Sequence, residues 1–106
     1  MKTKLLRLKY GNFYLIEGDF ISHYAASYGE WSEVEVMFFR HVLQNTDNVI
    51  EVGSNIGLHS VPIAQKINRG KLFCFEPQRL IFQTLIANIV TNGLNNVFAY
   101  HAGVGG

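Results

Sequence analysis

One loop, set between two apolar segments, constrains the fold of this chain more than any other feature. Val49–Val52 reads as a short buried strand that runs into the Gly53-Ser54-Asn55-Ile56-Gly57 loop. A helix-like segment leaves the loop, and a second apolar strand, Phe73–Phe75, ends on the acid Glu76. Doubly wound α/β domains use a glycine loop and a later acid in this order to bind an adenosine-bearing cofactor. The order predicts an α/β fold with a parallel sheet.

The spacing inside the loop favours S-adenosylmethionine over a dinucleotide. Dinucleotide sites use G-x-G-x-x-G, which brings a helix N-terminus to a pyrophosphate. Here Asn55 and Leu58 stand at the second and third glycine positions, and Glu51 precedes the loop, where it would repel a pyrophosphate. S-adenosylmethionine has no phosphate, and its ammonium and sulfonium attract a carboxylate. A nicotinamide or flavin enzyme is therefore the weaker interpretation.

Composition and charge are those of a globular domain. The chain is 48% hydrophobic and 16% charged, and its net charge of +1 implies no general attraction to nucleic acid or to an anionic membrane. No apolar run is long enough to span a bilayer. The lone Cys74 lies in an apolar strand and excludes an internal disulfide. We expect a cytoplasmic protein without membrane or nucleic-acid partners.

Local patterns place a hairpin and helices ahead of this α/β segment. Leu5–Lys9 and Asn12–Glu17 pair as a hairpin, and the ambiguous segment Phe20–Tyr28 could close a short helix with Gly29 at its end. A clear helix then runs to about Gln44, with Ser32 as N-cap and Glu35 completing a capping box. Its predicted buried face consists of Phe38, Phe39, Val42 and Leu43.

A strand–helix alternation follows and predicts right-handed crossovers in a parallel sheet. Pro62 is tolerable in the first turn of its helix, Pro77 is predicted to open the next helix, and Gly93 ends it. We divide the chain into an N-terminal hairpin and lead-in helix, 1–47, and a cofactor domain, 48–106. The predicted elements of this second part are strands 48–52, 71–75 and 96–100 and helices 58–67 and 77–92.

A series of ordered blocks resembles the front of an FkbM-type methyltransferase, within the class I S-adenosylmethionine-dependent enzymes. The family pattern usually has Asp at position 51 and Ala at position 54, where this chain has Glu51 and Ser54. The blocks that carry the resemblance are 28–35 (YGEWSEVE), 50–60 (IEVGSNIGLHS), 75–78 (FEPQ), Asn88 with 92–97 (NGLNNV), and 102–105 (AGVG).

The resemblance implies methyl transfer, commonly to a hydroxyl oxygen of a sugar or natural product. The acceptor would be a small molecule or a glycan. It also implies a Rossmann-like class I methyltransferase fold whose sheet has seven strands, of which this chain supplies the first three. We therefore expect the chain to be the front part of a longer protein, and the chain alone to fold poorly and to be inactive. No residue is assigned a catalytic role.

The predicted cofactor-binding residues each have a structural alternative. Glu51 would lie near the methionine ammonium, or be a buried acid held by loop amides. Glu76 would bind the ribose hydroxyls as a solvent-facing acid, or merely favour a helix start. Asn55 could instead cap the next helix, and Glu35 is explained equally well by its capping box. The complete predicted set is Glu51, Gly53, Ser54, Asn55, Gly57, Glu76 and Glu35.

Two further alternatives concern other kinds of site and protein. His59 is better explained by helix packing than as a base, and no histidine has partners at metal-ligand spacing, so no metal site is predicted. The rival function is a non-catalytic binding or scaffold module that keeps the Rossmann-like shell. The intact acids Glu51 and Glu76 argue against it.

Overall fold

The computed structural model describes residues 1–104, which form five strands and four helices. The predicted block 102–105 and the predicted domain 48–106 therefore extend beyond the described residues. In chain order the elements are β1 (Thr3–Leu8), β2 (Gly11–Ile16), α1 (Phe20–Tyr28), α2 (Glu33–Val42), β3 (Val49–Val52), α3 (Ser60–Lys66), β4 (Leu72–Phe75), α4 (Arg79–Thr91) and β5 (Val97–Tyr100).

The N-terminal hairpin forms as predicted, and the ambiguous segment after it is a helix. β1 and β2 are antiparallel, and Leu8 lies opposite Gly11 at the turn. On β2, Phe13 and Leu15 are buried, as the alternation of a half-buried strand requires. The carboxylate of Asp19 caps α1 by accepting a hydrogen bond from the Ser22 N–H. The helix ends at Gly29, whose left-handed backbone suits a residue without a side chain.

The second sheet is parallel, with β4 between β3 and β5. Its inward positions carry Leu72, Cys74 and Ala99, which pack with residues of α3 and α4 in one hydrophobic cluster. The other face presents apolar side chains that the described residues leave partly or largely exposed. These are Ile50, Val52, Phe73, Phe75, Phe98 and Tyr100.

The predicted capping box of α2 is wrong. Ser32 has a left-handed backbone and makes no side-chain capping bond, whereas a capping serine needs an extended conformation to reach the helix amides. The predicted buried face is half right: Phe39 and Leu43 pack against the core, whereas Phe38 and Val42 are exposed and Val36 is fully buried. Helix α2 therefore presents a partly different side to the core from the one its aromatic pair suggested.

Helices α3 and α4 begin later than predicted. Gly57 and the turn after it delay α3 to Ser60, which leaves Pro62 in the tolerated first turn. Pro77 does not open α4. The carboxylate of Glu76 accepts a hydrogen bond from the Gln78 N–H, and Gln78 stays extended as the N-cap. At the other end Gly93 follows the helix with positive φ, as predicted.

Two asparagines of α4 fasten the hairpin to the rest of the chain. Asn92 accepts from the Asn12 N–H at 3.1 Å and donates to the Asn12 carbonyl at 2.8 Å. One helical turn earlier, Asn88 makes the same pair of bonds with the backbone of Tyr14, at 2.6 and 3.2 Å. The two side-chain amides thus act as a substitute strand along the outer edge of β2, where unpaired backbone groups would otherwise remain.

Gly11 is required at the hairpin turn by this pairing. A Cβ atom built on Gly11 would lie 1.9 Å from Oδ1 of Asn92. Any larger residue would therefore displace the amide and separate the hairpin from α4.

The hydrophobic core runs across the predicted division at residue 47. One cluster joins Phe13 and Leu15 of the hairpin to Ile56, Leu58 and Val61 of the second part. A single cooperative unit would show the same shared core. The two-part division therefore remains a prediction. Within residues 1–104, no helix combines the length and apolar character needed to cross a membrane.

Replacing Asn88 by alanine should destabilise the protein strongly. The Asn88 side chain is fully buried, and it also donates to the Ile56 carbonyl at 2.8 Å. Its loss leaves buried backbone groups without partners, so we expect the free energy of unfolding to fall by about 2–4 kcal/mol. Urea denaturation measures this change. The control is Asn95→Ala at an exposed position, which should change stability little; an equal effect of both substitutions would contradict the role given to Asn88.

Candidate functional site

The loop between β3 and α3 owes its shape to three residues with positive φ. Gly53, Asn55 and Gly57 have φ values of 69°, 54° and 95°, a region that favours glycine and tolerates asparagine. The N–H groups of Gly53 and Ser54 both donate to the Phe75 carbonyl, at 2.9 and 3.1 Å. The loop therefore turns back over the end of β4 and leaves a concave surface at the carboxyl ends of the strands.

Gly57 is needed for close packing as well as for its turn. A Cβ atom at this position would come within 2.9 Å of the Leu85 side chain on α4. At Gly53, by contrast, the equivalent space is open. The first glycine of the loop therefore leaves room beside the backbone, and the second lets the loop pack against a helix.

The Glu76 side chain supports the loop through hydrogen bonds from backbone amides. Its carboxylate accepts from the Asn55 N–H and the Gln78 N–H, each at 2.9 Å. Only 4% of the residue is exposed, so the expectation of a solvent-facing acid was wrong. The position at the end of β4 was predicted correctly, but the side chain turns toward the loop amides. Its predicted ribose contact remains a prediction.

Glu51 lies at the wall of the site, held by two side chains of the core. The Ser60 hydroxyl donates to its Oε1, and the Cys74 thiol lies 3.5 Å from the same oxygen. These contacts fix one carboxylate oxygen from the inner side of the sheet. Burial, together with the negative charge of Glu51, raises the pKa of the Cys74 thiol to about 12.

A cavity of about 170 Å³ opens above the loop. Four of the seven predicted cofactor-binding residues line it, namely Glu51, Gly53, Ser54 and Asn55. One wall is thus polar and carries a carboxylate. The remaining lining is mostly apolar and consists of Ile21, Trp31, Ile56, Leu58 and His59.

The lead-in segment contributes residues that the sequence interpretation undervalued. Trp31 and Ile21 close one side of the cavity, although neither is among the predicted cofactor-binding residues. His59 lines the cavity too, and its Nε2 lies 3.2 Å from the Trp31 carbonyl. Glu35 does not line the cavity; its Oε2 lies 3.8 Å from Nδ1 of His59. The Tyr-Gly-Glu-Trp motif at 28–31 was the available signal for this wall.

Asn55 does not cap the helix that follows it, because α3 begins only at Ser60. Its Oδ1 accepts instead from the neighbouring Ile56 N–H at 2.8 Å, which helps to hold the left-handed turn. Among residues 1–104 no three histidine, cysteine, aspartate or glutamate side chains come together as a metal site.

Comparison with solved structures identifies the fold. The chain superposes on M. jannaschii TYW2, solved in complex with AdoMet, with a TM-score of 0.72 and 20% identity over 94% of this chain and 43% of that one. Trm5b from Pyrococcus abyssi gives a TM-score of 0.69 with 20% identity, over 92% and 27% of the two chains. The described residues therefore have the Rossmann-like α/β fold of class I methyltransferases.

Sequence comparison finds a curated relative that is a methyltransferase. The chain is 31% identical over 97 residues to the methyltransferase sdnD of Sordaria araneosa, a match that covers 85% of this chain. It spans 38% of the length of that relative. No family model matches the sequence.

Replacement of Glu76 by glutamine should weaken the folded state even without a ligand. The substitution places an amide group opposite two backbone donors, so at least one charge-assisted hydrogen bond is lost. We expect the free energy of unfolding to fall by about 1.5–3 kcal/mol, measured by urea denaturation. Glu17→Gln, at an exposed acid, should leave it unchanged. Equal stability of the two variants would contradict this structural role and would indicate that Glu76 behaves as a surface acid.

The Cys74 thiol should be inert in the native protein. With its pKa raised from 9.0 to about 12, the thiolate fraction near pH 8 falls by roughly a thousandfold. Labelling by a disulfide reagent should accordingly stay slow up to pH 10 and become fast in urea. Native labelling at the rate of the unfolded chain would show that the thiol is neither buried nor held beside Glu51.

Proposed function

We propose that the protein is an S-adenosylmethionine-dependent methyltransferase that transfers a methyl group to a hydroxyl oxygen. The observation that carries the proposal is the cavity at the carboxyl ends of β3 and β4, with the carboxylate of Glu51 on one wall. Ligands of open α/β sheets bind at this edge. The match to a fungal methyltransferase supports the same activity.

The chemistry of the lining fits this cofactor. Glu51 offers a carboxylate to the methionine ammonium, and the polar loop residues Ser54 and Asn55 lie beside it. Ile56, Leu58 and Trp31 provide an apolar wall for the parts of the cofactor that bear no charge. Among residues 1–104 neither lysine nor arginine lines the cavity, although a pyrophosphate-binding site would favour such cations. In this proposal Glu76 and Gly57 support the loop, and Glu76 also reaches the ribose.

When bound, S-adenosylmethionine would supply an electrophilic methyl group on its sulfur, and an acceptor hydroxyl would need a base to take its proton. The residues of this chain bind and orient the two reactants and exclude water from the apolar wall. The His59 imidazole lines that wall and could take a proton, although its contacts with Trp31 and Glu35 are explained by structural support alone.

The ordered sequence blocks support an FkbM-type enzyme whose acceptor is a sugar or a natural-product scaffold. A cytoplasmic location is supported by the unpaired, buried Cys74, since free thiols are typical of reducing compartments.

A second candidate is methylation of RNA. TYW2 and Trm5b share the fold, and an rRNA methylase from Streptococcus thermophilus superposes with a TM-score of 0.60 at 17% identity, over 67% of this chain and 38% of that one. These likenesses support the fold and leave the acceptor open. A non-catalytic scaffold is the remaining alternative, and binding of cofactor alone would not distinguish it from an enzyme.

Calorimetry with S-adenosylhomocysteine and with NAD tests the cofactor. We expect saturable binding of the first and none of the second. Glu51→Gln should weaken the binding of S-adenosylhomocysteine by about tenfold, the effect of one charge-assisted hydrogen bond. Glu17→Gln, at an exposed acid, is the matched control and should bind like the parent. Binding of NAD without response to S-adenosylhomocysteine would overturn the proposal.

A further inference from the structure

Helix α1 carries an unusual row of exposed aromatic rings. Phe20, Tyr24 and Tyr28 follow one another at a spacing of four residues and are 72%, 37% and 67% exposed. Residues at this spacing lie on one face of a helix. Large aromatic side chains are costly to leave in water, and a cluster of them marks a binding surface more often than a single ring does.

Trp31 connects this row to the cofactor cavity. Its ring lies edge-on to Phe20 at 6.2 Å and to Tyr24 at 5.3 Å between centroids, and Tyr24 in turn lies 4.5 Å from Tyr28. Trp31 also lines the cavity, together with Ile21 of the same helix. The four rings, here termed the α1 aromatic surface, therefore begin at the wall of the cavity and extend outward from it.

The charges of the surrounding segment disfavour a polyanionic partner. Residues 10–39 contain five acids and neither lysine nor arginine. Binding of RNA draws on lysine and arginine contacts to phosphates, and this segment offers none. The acids are Glu17, Asp19, Glu30, Glu33 and Glu35.

Cations from neighbouring segments do not reverse this balance. Lys9 is paired with Glu33 at 2.8 Å, and the Arg40 guanidinium lies over the Tyr10 ring, 5.4 Å from its centroid. Lys4 borders a separate pocket with Ser22 and His23. At ~100° per residue, Ser22 lies on the opposite side of α1 from Tyr24.

We propose that the α1 aromatic surface binds the methyl acceptor, and that this acceptor is an uncharged, hydroxyl-bearing ring such as a sugar. Aromatic faces stack against the apolar faces of such rings, while the acidic surroundings repel phosphate. Continuity with the cavity through Trp31 places a stacked ring beside the cofactor site. The inference rests on the proposed methyltransferase function and adds the surface that binds its acceptor.

Fluorescence provides the test, because Trp31 is the single tryptophan of the sequence. Each quenching constant is first divided by that of free N-acetyltryptophanamide, because iodide quenches free indole more efficiently than caesium. The normalised quenching by caesium should exceed that by iodide at equal ionic strength, since the surroundings are acidic. The probe for the acceptor is n-octyl β-D-glucopyranoside below its micellar concentration, and an oligoadenylate is the polyanionic comparison. We expect a saturable change with the glucoside and none with the oligonucleotide.

Variants separate stacking from general apolar contact. Tyr24→Leu should weaken the glucoside response by about fivefold or more, and Tyr24→Phe should keep it, because a ring face is what stacks. Phe98→Ala removes an aromatic of similar exposure, 42%, from the distant sheet face and should have no effect. If Tyr24→Leu fails to fold, Phe20→Leu replaces it at a position 72% exposed.

Cofactor binding, measured on the same samples, separates the two hypotheses. A parent that binds S-adenosylhomocysteine and shows equal glucoside responses in all variants overturns the acceptor surface alone. Stronger normalised quenching by iodide, or oligoadenylate binding that Tyr24→Leu abolishes, also overturns it and favours RNA. If the parent does not bind S-adenosylhomocysteine but shows a glucoside response that depends on Tyr24, the cofactor proposal is overturned. A ring-binding surface then remains.

Discussion

The pairing of two helix side chains with a strand edge holds this structure together. Asn88 and Asn92 offer their amides to the backbone of β2, and Asn88 also binds the carbonyl of Ile56 in the glycine loop. One buried side chain thus contacts the hairpin and the cofactor loop from its place on α4. Because buried amides are costly to leave unpaired, these three parts keep a fixed arrangement relative to one another.

The candidate site follows from that arrangement. Asn88 positions the loop at Ile56, and Glu76 positions it at Asn55, one residue earlier. The hairpin and α1 then bring Trp31 and Ile21 to the wall of the cavity. The cavity therefore depends on segments from both halves of the chain, although the predicted cofactor-binding motif lies mainly in the second half.

Local sequence patterns predicted the order of the elements well, since each pattern reflects a local cause. The alternation in β2, the turn at Gly29 and the glycine spacing of the loop all act within a few residues. Failures arose where the backbone conformation or a distant partner decides. Ser32 resembles an N-cap, yet its backbone is left-handed. Glu76 resembles a surface acid, yet its carboxylate accepts from the Asn55 N–H, more than twenty positions away.

The same distinction explains what was missed at the site. Four of the predicted residues line one cavity because one continuous motif contains them. Trp31 was not predicted there, because its position in the cavity depends on how α1 packs against the hairpin. The substitute strand of Asn88 and Asn92 was likewise beyond local patterns, although their spacing of one helical turn places both on one face of α4.

Amide hydrogen exchange, followed by NMR on the ligand-free protein, tests whether buried polar side chains of the chain itself hold the loop in shape. We expect the N–H groups of Asn55, Gln78 and Tyr14 to exchange as slowly as those of the buried strand β4, because each is bound by Glu76 or Asn88. Exchange as fast as that of the exposed Asn95 at the first two amides would show that the loop takes its shape only when a ligand binds.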